Sequence, residues 1–255
     1  MDYRNTVRGQ FGRHAEKYRK SRTHSDPTTL DHIIQLLSPS GKEKGLDVGC
    51  GGGHMAVALA ARIRELVAID VTPQMLVQTS MLAGERGLSN TGTCLADAQD
   101  LPFHSESFDI VSCRIVLHHI LGAGKAVAEM GRVLKGSGKL FIQDILGSDD
   151  RVARDYMDVI ERLRDPSHIK DYNLEEWNRF LKTAGLKVLS TETIPGVYQL
   201  KEWTTRSGTP VDKVEEIVMR LRNMPEEVRR YLKSQYSDGD WSIQMRYILV
   251  LATKT

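Results

Sequence analysis

A chain of 255 residues with a 40% hydrophobic content is long enough to bury one large α/β core. Its 35 basic residues are nearly cancelled by 33 acidic ones, and the net charge of +2 gives no electrostatic footprint for a nucleic acid. No apolar run approaches the ~18 residues that span a bilayer. Cys50, Cys94 and Cys113 have no C-x-x-C spacing and read as free thiols in a reducing compartment. The stretch Met1–Lys20 has no apolar leader core and contains Asp2 and Glu16, so a cytoplasmic location is expected. The oligomeric state is left open, a homodimer included.

In chain order, Val7, Phe11, Ala15 and Tyr18 fall on one helical face. Leu30, Ile33, Ile34 and Leu37 form a second amphipathic run, with Asp26 as cap and Pro27 as first helical residue. From Gly45 onward short apolar runs alternate with helical patterns. Strands are predicted at Gly45–Val48, Leu66–Ile69, Gly92–Leu95, Phe108–Cys113 and Lys139–Ile145, and helices at His54–Ile63, Pro73–Arg86 and Gly122–Leu134. Thr72-Pro73 reads as another cap and start, and Lys135–Gly138 as a helix stop and turn. This alternation implies a parallel sheet with right-handed crossovers. Past Gly147 come an amphipathic helix through Tyr156 and Leu163, a capping box at Asn173–Glu176, and a helix after Thr209-Pro210. Ser242–Ala252 contains the most apolar stretch and suits a central strand. One Rossmann-like core thus carries helical insertions near residues 147–172 and 200–238.

The decisive run is Gly45-Leu-Asp-Val-Gly-Cys-Gly-Gly-Gly-His54, which follows a strand and opens a helix. Glycines there let backbone N–H groups approach a ligand. Dinucleotide enzymes place G-x-G-x-x-G at this turn. Here His54 takes the place of the third glycine, and Asp47 sits two residues before the first. A carboxylate at a buried strand end needs a partner. It would repel a pyrophosphate and welcome a ligand amine, and S-adenosylmethionine carries an ammonium, a sulfonium and no phosphate. Asp70 ends the second strand at the distance from the turn where an acid takes both ribose hydroxyls. Asp97, ending the third strand, is placed to take an adenine amino group.

Gly45–Gly53, Asp70, Asp97-Ala98, Leu101-Pro-Phe103, Phe108-Asp109 and Arg132–Gly136 together resemble the motif series of class I S-adenosylmethionine-dependent methyltransferases. Leu117-His-His119 narrows the resemblance to the ubiquinone/menaquinone C-methyltransferase-like group, and Arg162–His168 with Gly208–Pro210 to functionally unassigned bacterial members of it. The resemblance implies a doubly wound, mostly parallel seven-stranded sheet with helical cap insertions. It also implies one domain over residues 1–255: N-terminal helices over the cofactor (1–40), a cofactor-binding core (41–146), and cap helices with the final strands (147–255). By resemblance, Asp47 with Gly49, Cys50, Gly51 and Gly53 holds the methionine portion, and Asp70 the ribose. Val71 and Met75 flank the adenine, Asp97 and the Ala98 amide read its edge, and the Arg114 backbone lies near the amino group. Phe11 and Tyr18 belong to a helix folded over the cofactor, with S-adenosylhomocysteine as product. The signatures of the true quinone enzymes are missing from the later segments.

Methyl transfer is an in-line displacement in which the protein supplies alignment and desolvation. A base is needed only where the acceptor loses a proton. His119, which is also at the cofactor, and Asp144 are the expected catalytic residues. His118, Arg164, His168 and Trp203 are expected in the acceptor pocket, which the segments 147–173 and 198–238 and the N-terminal helix should enclose. No ligand spacing links the histidines into a metal site. After the fourth strand there is no Asn/Asp-Pro-Pro-aromatic run of the amino-methylating kind, so a small organic acceptor is expected. Two other readings stay open: a catalytically idle cofactor-binding or scaffold protein, and a nicotinamide oxidoreductase, against which Asp47 and His54 both argue.

Overall fold

Strands that read as unbroken apolar runs bury both faces, and this sheet is covered on both. In the computed structural model, which describes residues 3–254, the chain opens with α1 (Tyr3–Arg19) and α2 (Pro27–Leu37). Asp2, weighed above against a leader, lies outside the described residues. The core follows as β1 (Lys44–Val48), α3 (His54–Ala60), β2 (Glu65–Asp70), α4 (Pro73–Glu85), β3 (Thr91–Leu95), β4 (Phe108–Arg114), a 3₁₀ turn (Leu117–His119), α5 (Ala123–Val133) and β5 (Leu134–Ile145). The remainder is α6 (Arg151–Arg164), α7 (Leu174–Thr183), β6 (Leu186–Gln199), α8 (Leu200–Ser207), α9 (Val211–Arg222), α10 (Glu226–Leu232), β7 (Gln235–Ser237) and β8 (Asp240–Lys254).

The sheet order is β3-β2-β1-β4-β5-β8-β6, with β1 to β5 parallel and β8 antiparallel to both its neighbours. The expected seven strands make this path; the three-residue β7 pairs β8 as an eighth. Ser242–Ala252 is interior as expected, between β5 and β6. Alternate residues of β5 feed two cores: Leu140 and Ile142 pack with α5 and α7, Phe141 with α2, α3, α6 and α9. Asp26 caps α2 through Thr29 N, and Asn173 and Glu176 close a capping box on α7. Thr72 departs from expectation. It sits at the N-cap of α4 without a side-chain cap bond, and its amide donates to Asp70 Oδ1 at 2.8 Å. No helix among the described residues is long and apolar enough to cross a membrane.

Candidate functional site

The chain order reverses between β1 and β4, and in an open parallel sheet the crevice beyond those strand ends is where ligands bind. A cavity of about 1010 Å³, its mouth included, lies there. Its floor is the turn after β1. Gly49 has φ +69°, and a Cβ on it would meet the Val116 side chain at 2.6 Å. At Gly52 a Cβ would stand 2.7 Å from the Arg19 backbone nitrogen, so only glycine lets the end of α1 close on the loop. His54 Nε2 reaches the Tyr18 carbonyl at 3.2 Å and ties the same two segments.

Asp47 lies 1% exposed at the base of this turn. Ser112 Oγ donates to its Oδ1 at 2.7 Å, and Oδ2 is buried with no partner. Burial drives its pKa up to about 7, against the pull of the Ser112 bond and of Arg114. Asp70 accepts Gly51 N on Oδ2 at 3.0 Å and Thr72 N on Oδ1 at 2.8 Å. Each oxygen keeps a lone pair beside the cavity, and burial raises its pKa despite those amides. Asp97 accepts Gln99 N on Oδ1 at 2.9 Å and pairs with Arg4 through Oδ2 at 3.3 Å. Helix α1 roofs the cavity, with Phe11 packed edge-on against Tyr18 and Arg8 Nε donating to the Val71 carbonyl at 2.9 Å.

A methyltransferase-domain family model matches residues 46–142. The uncharacterized methyltransferase YcgJ of Bacillus subtilis is 32% identical over 86% of this chain and 87% of its own. Its crystal structure superposes with a TM-score of 0.83 at 30% identity, over 89% of this chain and 98% of that one. The uncharacterized protein YafE of Escherichia coli is 32% identical over 75% of this chain and 92% of its own. The chain belongs to the class I methyltransferases.

In this methyltransferase, Phe11, Tyr18, Asp47, Gly49, Cys50, Gly51, Asp70, Val71, Met75, Asp97, Ala98, Arg114 and His119 line one cavity. Gly53 does not. It caps α3 at φ +90° and packs on Thr79. No residue of the segments 147–173 and 198–238 lines this cavity, whose lining ends at Ile120, and apolar residues of those segments pack into the cores. Tyr198 and Trp203 belong to one buried cluster, and the half-buried Tyr156 and Leu163 pack against it. Trp203 stacks under the Arg164 guanidinium at 4.5 Å, and Arg164 pairs with Glu161 at 3.2 Å, so neither sits at a pocket rim. His168 is likewise turned away, its Nε2 2.9 Å from Asp158 Oδ1. Sequence spacing gives no metal set, yet Asp158, His168 and Asp171 bring donor atoms within 4.8 Å of one another, a group able to hold a divalent ion.

Asp144, expected to be catalytic, does not reach the cavity. It is fully buried and saturated, accepting Val116 N at 3.2 Å, Leu117 N at 2.6 Å, Ile145 N at 2.8 Å and His118 Nδ1 at 2.5 Å. Burial opposes charge on His118, but the charge of Asp144 and its hydrogen bond win, raising His118 to about 9. The pair braces the 3₁₀ turn that carries His119, and so His118 is corrected from pocket to support.

His119 stays in the cavity wall, edge-on to Phe11 at 4.9 Å. Ser167 Oγ lies 2.5 Å from Asp165 Oδ1 and 3.1 Å from His119 Nδ1. Burial raises Asp165, but Arg164 and the two Ser167 bonds hold its pKa below the ordinary value, so it is an acceptor only. The serine proton therefore goes to Asp165, and His119 donates through Nδ1–H to Ser167 Oγ. Nε2 is left with its lone pair. Burial first, then the charge on His118, lowers the His119 pKa and keeps the ring neutral.

Sequence reasoning missed His24, His54, Ile115 and Val116 in the lining. Ile115 carries a signal only the backbone reveals: at φ +59° a β-branched residue is strained, and its amide is held by the Gln143 carbonyl at 2.7 Å.

Proposed function

We propose that the cavity holds S-adenosylmethionine and that the enzyme transfers its methyl group in line to carbon, oxygen or nitrogen of a small organic acceptor. The observation that carries this is Asp47 Oδ2, a buried and unpartnered oxygen at a glycine turn. A carboxylate so placed is costly without a cation, and the cofactor's α-ammonium is one. When bound, S-adenosylmethionine supplies a methyl group on an already activated sulfonium. Everything else is positioning by the chain. Asp70 takes the ribose hydroxyls with its remaining lone pairs. Val71 and Met75 flank the adenine, and Asp97 with the Ala98 amide takes its edge. Gly49, Cys50, Gly51 and the Arg114 backbone hold the methionine end, while Phe11 and Tyr18 exclude water above it. His119 Nε2 accepts a proton from the acceptor where one must leave. The continuous sheet from β1 to β8 supports a single domain, and three unpaired cysteines support a cytoplasmic setting.

S-adenosylmethionine and S-adenosylhomocysteine each raise the melting temperature and NAD does not. At a hundredfold excess over Kd the gain is ~2.7 kcal/mol. Asp70→Ala weakens S-adenosylhomocysteine at least tenfold by calorimetry, since charge-assisted bonds are worth ~1.5–3 kcal/mol each, and the far-UV spectrum is unchanged. Stabilisation by NAD alone overturns the assignment.

His119→Gln lowers kcat by ~10²–10⁴ for an acceptor that must lose a proton, with the affinity for S-adenosylhomocysteine unchanged. Ser167→Ala, which releases the tautomer, lowers kcat less and shifts its pH profile. Equal loss of cofactor affinity and turnover places His119 in donor binding alone.

A further inference from the structure

Three guanidinium groups converge behind the Tyr18–His24 wall of the cavity, and only one has a carboxylate. Arg164 is paired with Glu161. Arg114, in the cavity lining, spends Nε on Gln143 Oε1 at 2.9 Å and Nη1 on the His24 carbonyl at 2.8 Å, both neutral acceptors. Arg206, 8% exposed at the end of α8, reaches Thr23 Oγ1 with Nη1 at 3.3 Å. Its Nε is buried with no acceptor, and its guanidinium lies over the Tyr198 ring at 5.7 Å. Arg114 and Arg206 thus grip consecutive residues of one turn between α1 and α2. Among the described residues neither makes an ion pair with a carboxylate. The field of the pair is felt at His24, whose pKa burial and then Arg206 and Arg114 hold well below the ordinary value.

Burying a cation without an ion-pair partner is costly, and for Arg206 the neighbouring Arg164 adds repulsion to the cost of burial. Glu161 is already committed to Arg164, and Asp47, although in the field of Arg114, makes no hydrogen bond to it. A planar guanidinium with free N–H groups is suited to a carboxylate or a phosphate. The surroundings, Tyr18, His24 and Tyr198, would pack against an aromatic or apolar body attached to it.

We infer that the methyl acceptor is an anion, whose carboxylate or phosphate is held between Arg114 and Arg206 at the Thr23–His24 turn. The inference rests on the cavity's being the methyl-donor site. The acceptor's reacting atom then lies toward His119, in the wall of the same cavity as Arg114.

The experiment uses the full chain saturated with S-adenosylhomocysteine. Benzoate, inorganic phosphate and, as uncharged control, benzamide are titrated at constant ionic strength set with chloride, reading the melting temperature. The expected result is a saturable rise with benzoate or phosphate and none with benzamide. The responding anion tells a carboxylate site from a phosphate site. In Arg206→Met the midpoint moves at least tenfold higher, and in Arg206→Lys, which keeps the charge without the planar fork, it moves less. The affinity for S-adenosylhomocysteine stays within twofold of wild type in both. No saturable anion effect in protein that binds S-adenosylhomocysteine overturns the inference and leaves the donor assignment standing. So does an effect that Arg206→Met retains. Failure to bind S-adenosylhomocysteine at all removes the donor assignment itself. A tenfold loss of S-adenosylhomocysteine affinity in Arg206→Met assigns the arginines to the cofactor's own carboxylate, and the acceptor inference falls.

Discussion

Asp144→Ala lowers the stability of the protein by about 3–5 kcal/mol, the cost of breaking a buried pair by removing one partner. The reason is local. Asp144 is the only carboxylate bonded to the His118 imidazole among the described residues, and it also receives three backbone amides. Its removal leaves the His118 ring without the partner that holds its proton, and three N–H groups without an acceptor, in a buried site where the paired side chains are 4% and 1% exposed. For a chain of this length the loss is a fall of about 6–20 °C in Tm. His118→Gln costs less, because it removes the cation and leaves Asp144 with its amide donors. The pH dependence carries the same signature. His118 is raised in the folded state to about 9, so the pair's stabilisation is fully present below the unfolded histidine value and is lost as pH rises through about 9. The shift is worth on the order of 3 kcal/mol, counted once for the pair. Chemical denaturation of wild type across this alkaline limb shows the loss, and Asp144→Ala flattens it. An Asp144→Ala protein of wild-type stability but abolished turnover would return the residue to the chemistry.

That Asp144 could be taken for a base shows where sequence stops informing. At the end of β5, on the ligand-binding edge, a carboxylate reads equally as reactant or brace. The answer depends on His118, 26 positions away, whose ring comes to Asp144 only because β4 and β5 pair in register. What the sequence carries well is local and periodic: the apolar runs of β1, β2, β4 and β5, the cap at Asp26-Pro27, the capping box at Asn173, and the glycine turn with its acidic neighbours. Strand β6 was not legible. It borders the sheet, most of its residues are at least partly exposed, and it carries Pro195-Gly196, a pair that reads in sequence as a strand breaker although both residues stay in register with β8. Arg164, His168 and Trp203 were misplaced for a related reason. The amphipathic pattern of α6 and α8 tells that a face is covered without telling by what, and here the cover is core, with Arg164 laid on Trp203. His24 and His54 reach the cavity through the docking of α1 on the glycine turn, a tertiary event with no sequence period.

Affinity for S-adenosylhomocysteine falls about tenfold for each pH unit below 7, and Asp47→Asn abolishes that dependence. In the ligand-free protein Asp47 titrates at about 7 because burial disfavours its charge. On the proposed reading the ligand ammonium supplies the missing charge at Oδ2 and draws the pKa down. Binding therefore releases a proton at and below neutrality, and acid competes directly with the ligand. Calorimetry in buffers of different ionisation enthalpy counts that proton: close to half of one at pH 7, close to one at pH 6. At pH 8, where Asp47 is mostly ionised, Asp47→Asn weakens binding by a charge-assisted bond, ~1.5–3 kcal/mol or roughly 10- to 150-fold. The sign for stability is opposite. A carboxylate whose folded pKa is raised costs the folded state above its unfolded value, so the ligand-free Asp47→Asn protein melts no lower than wild type at pH 8. A variant that keeps its Tm while losing both affinity and the proton identifies Asp47 as a ligand-facing charge carried at the fold's expense. A variant that melts early with affinity intact would make Asp47 a brace for Ser112, and the ammonium would have to be sought elsewhere in the cavity.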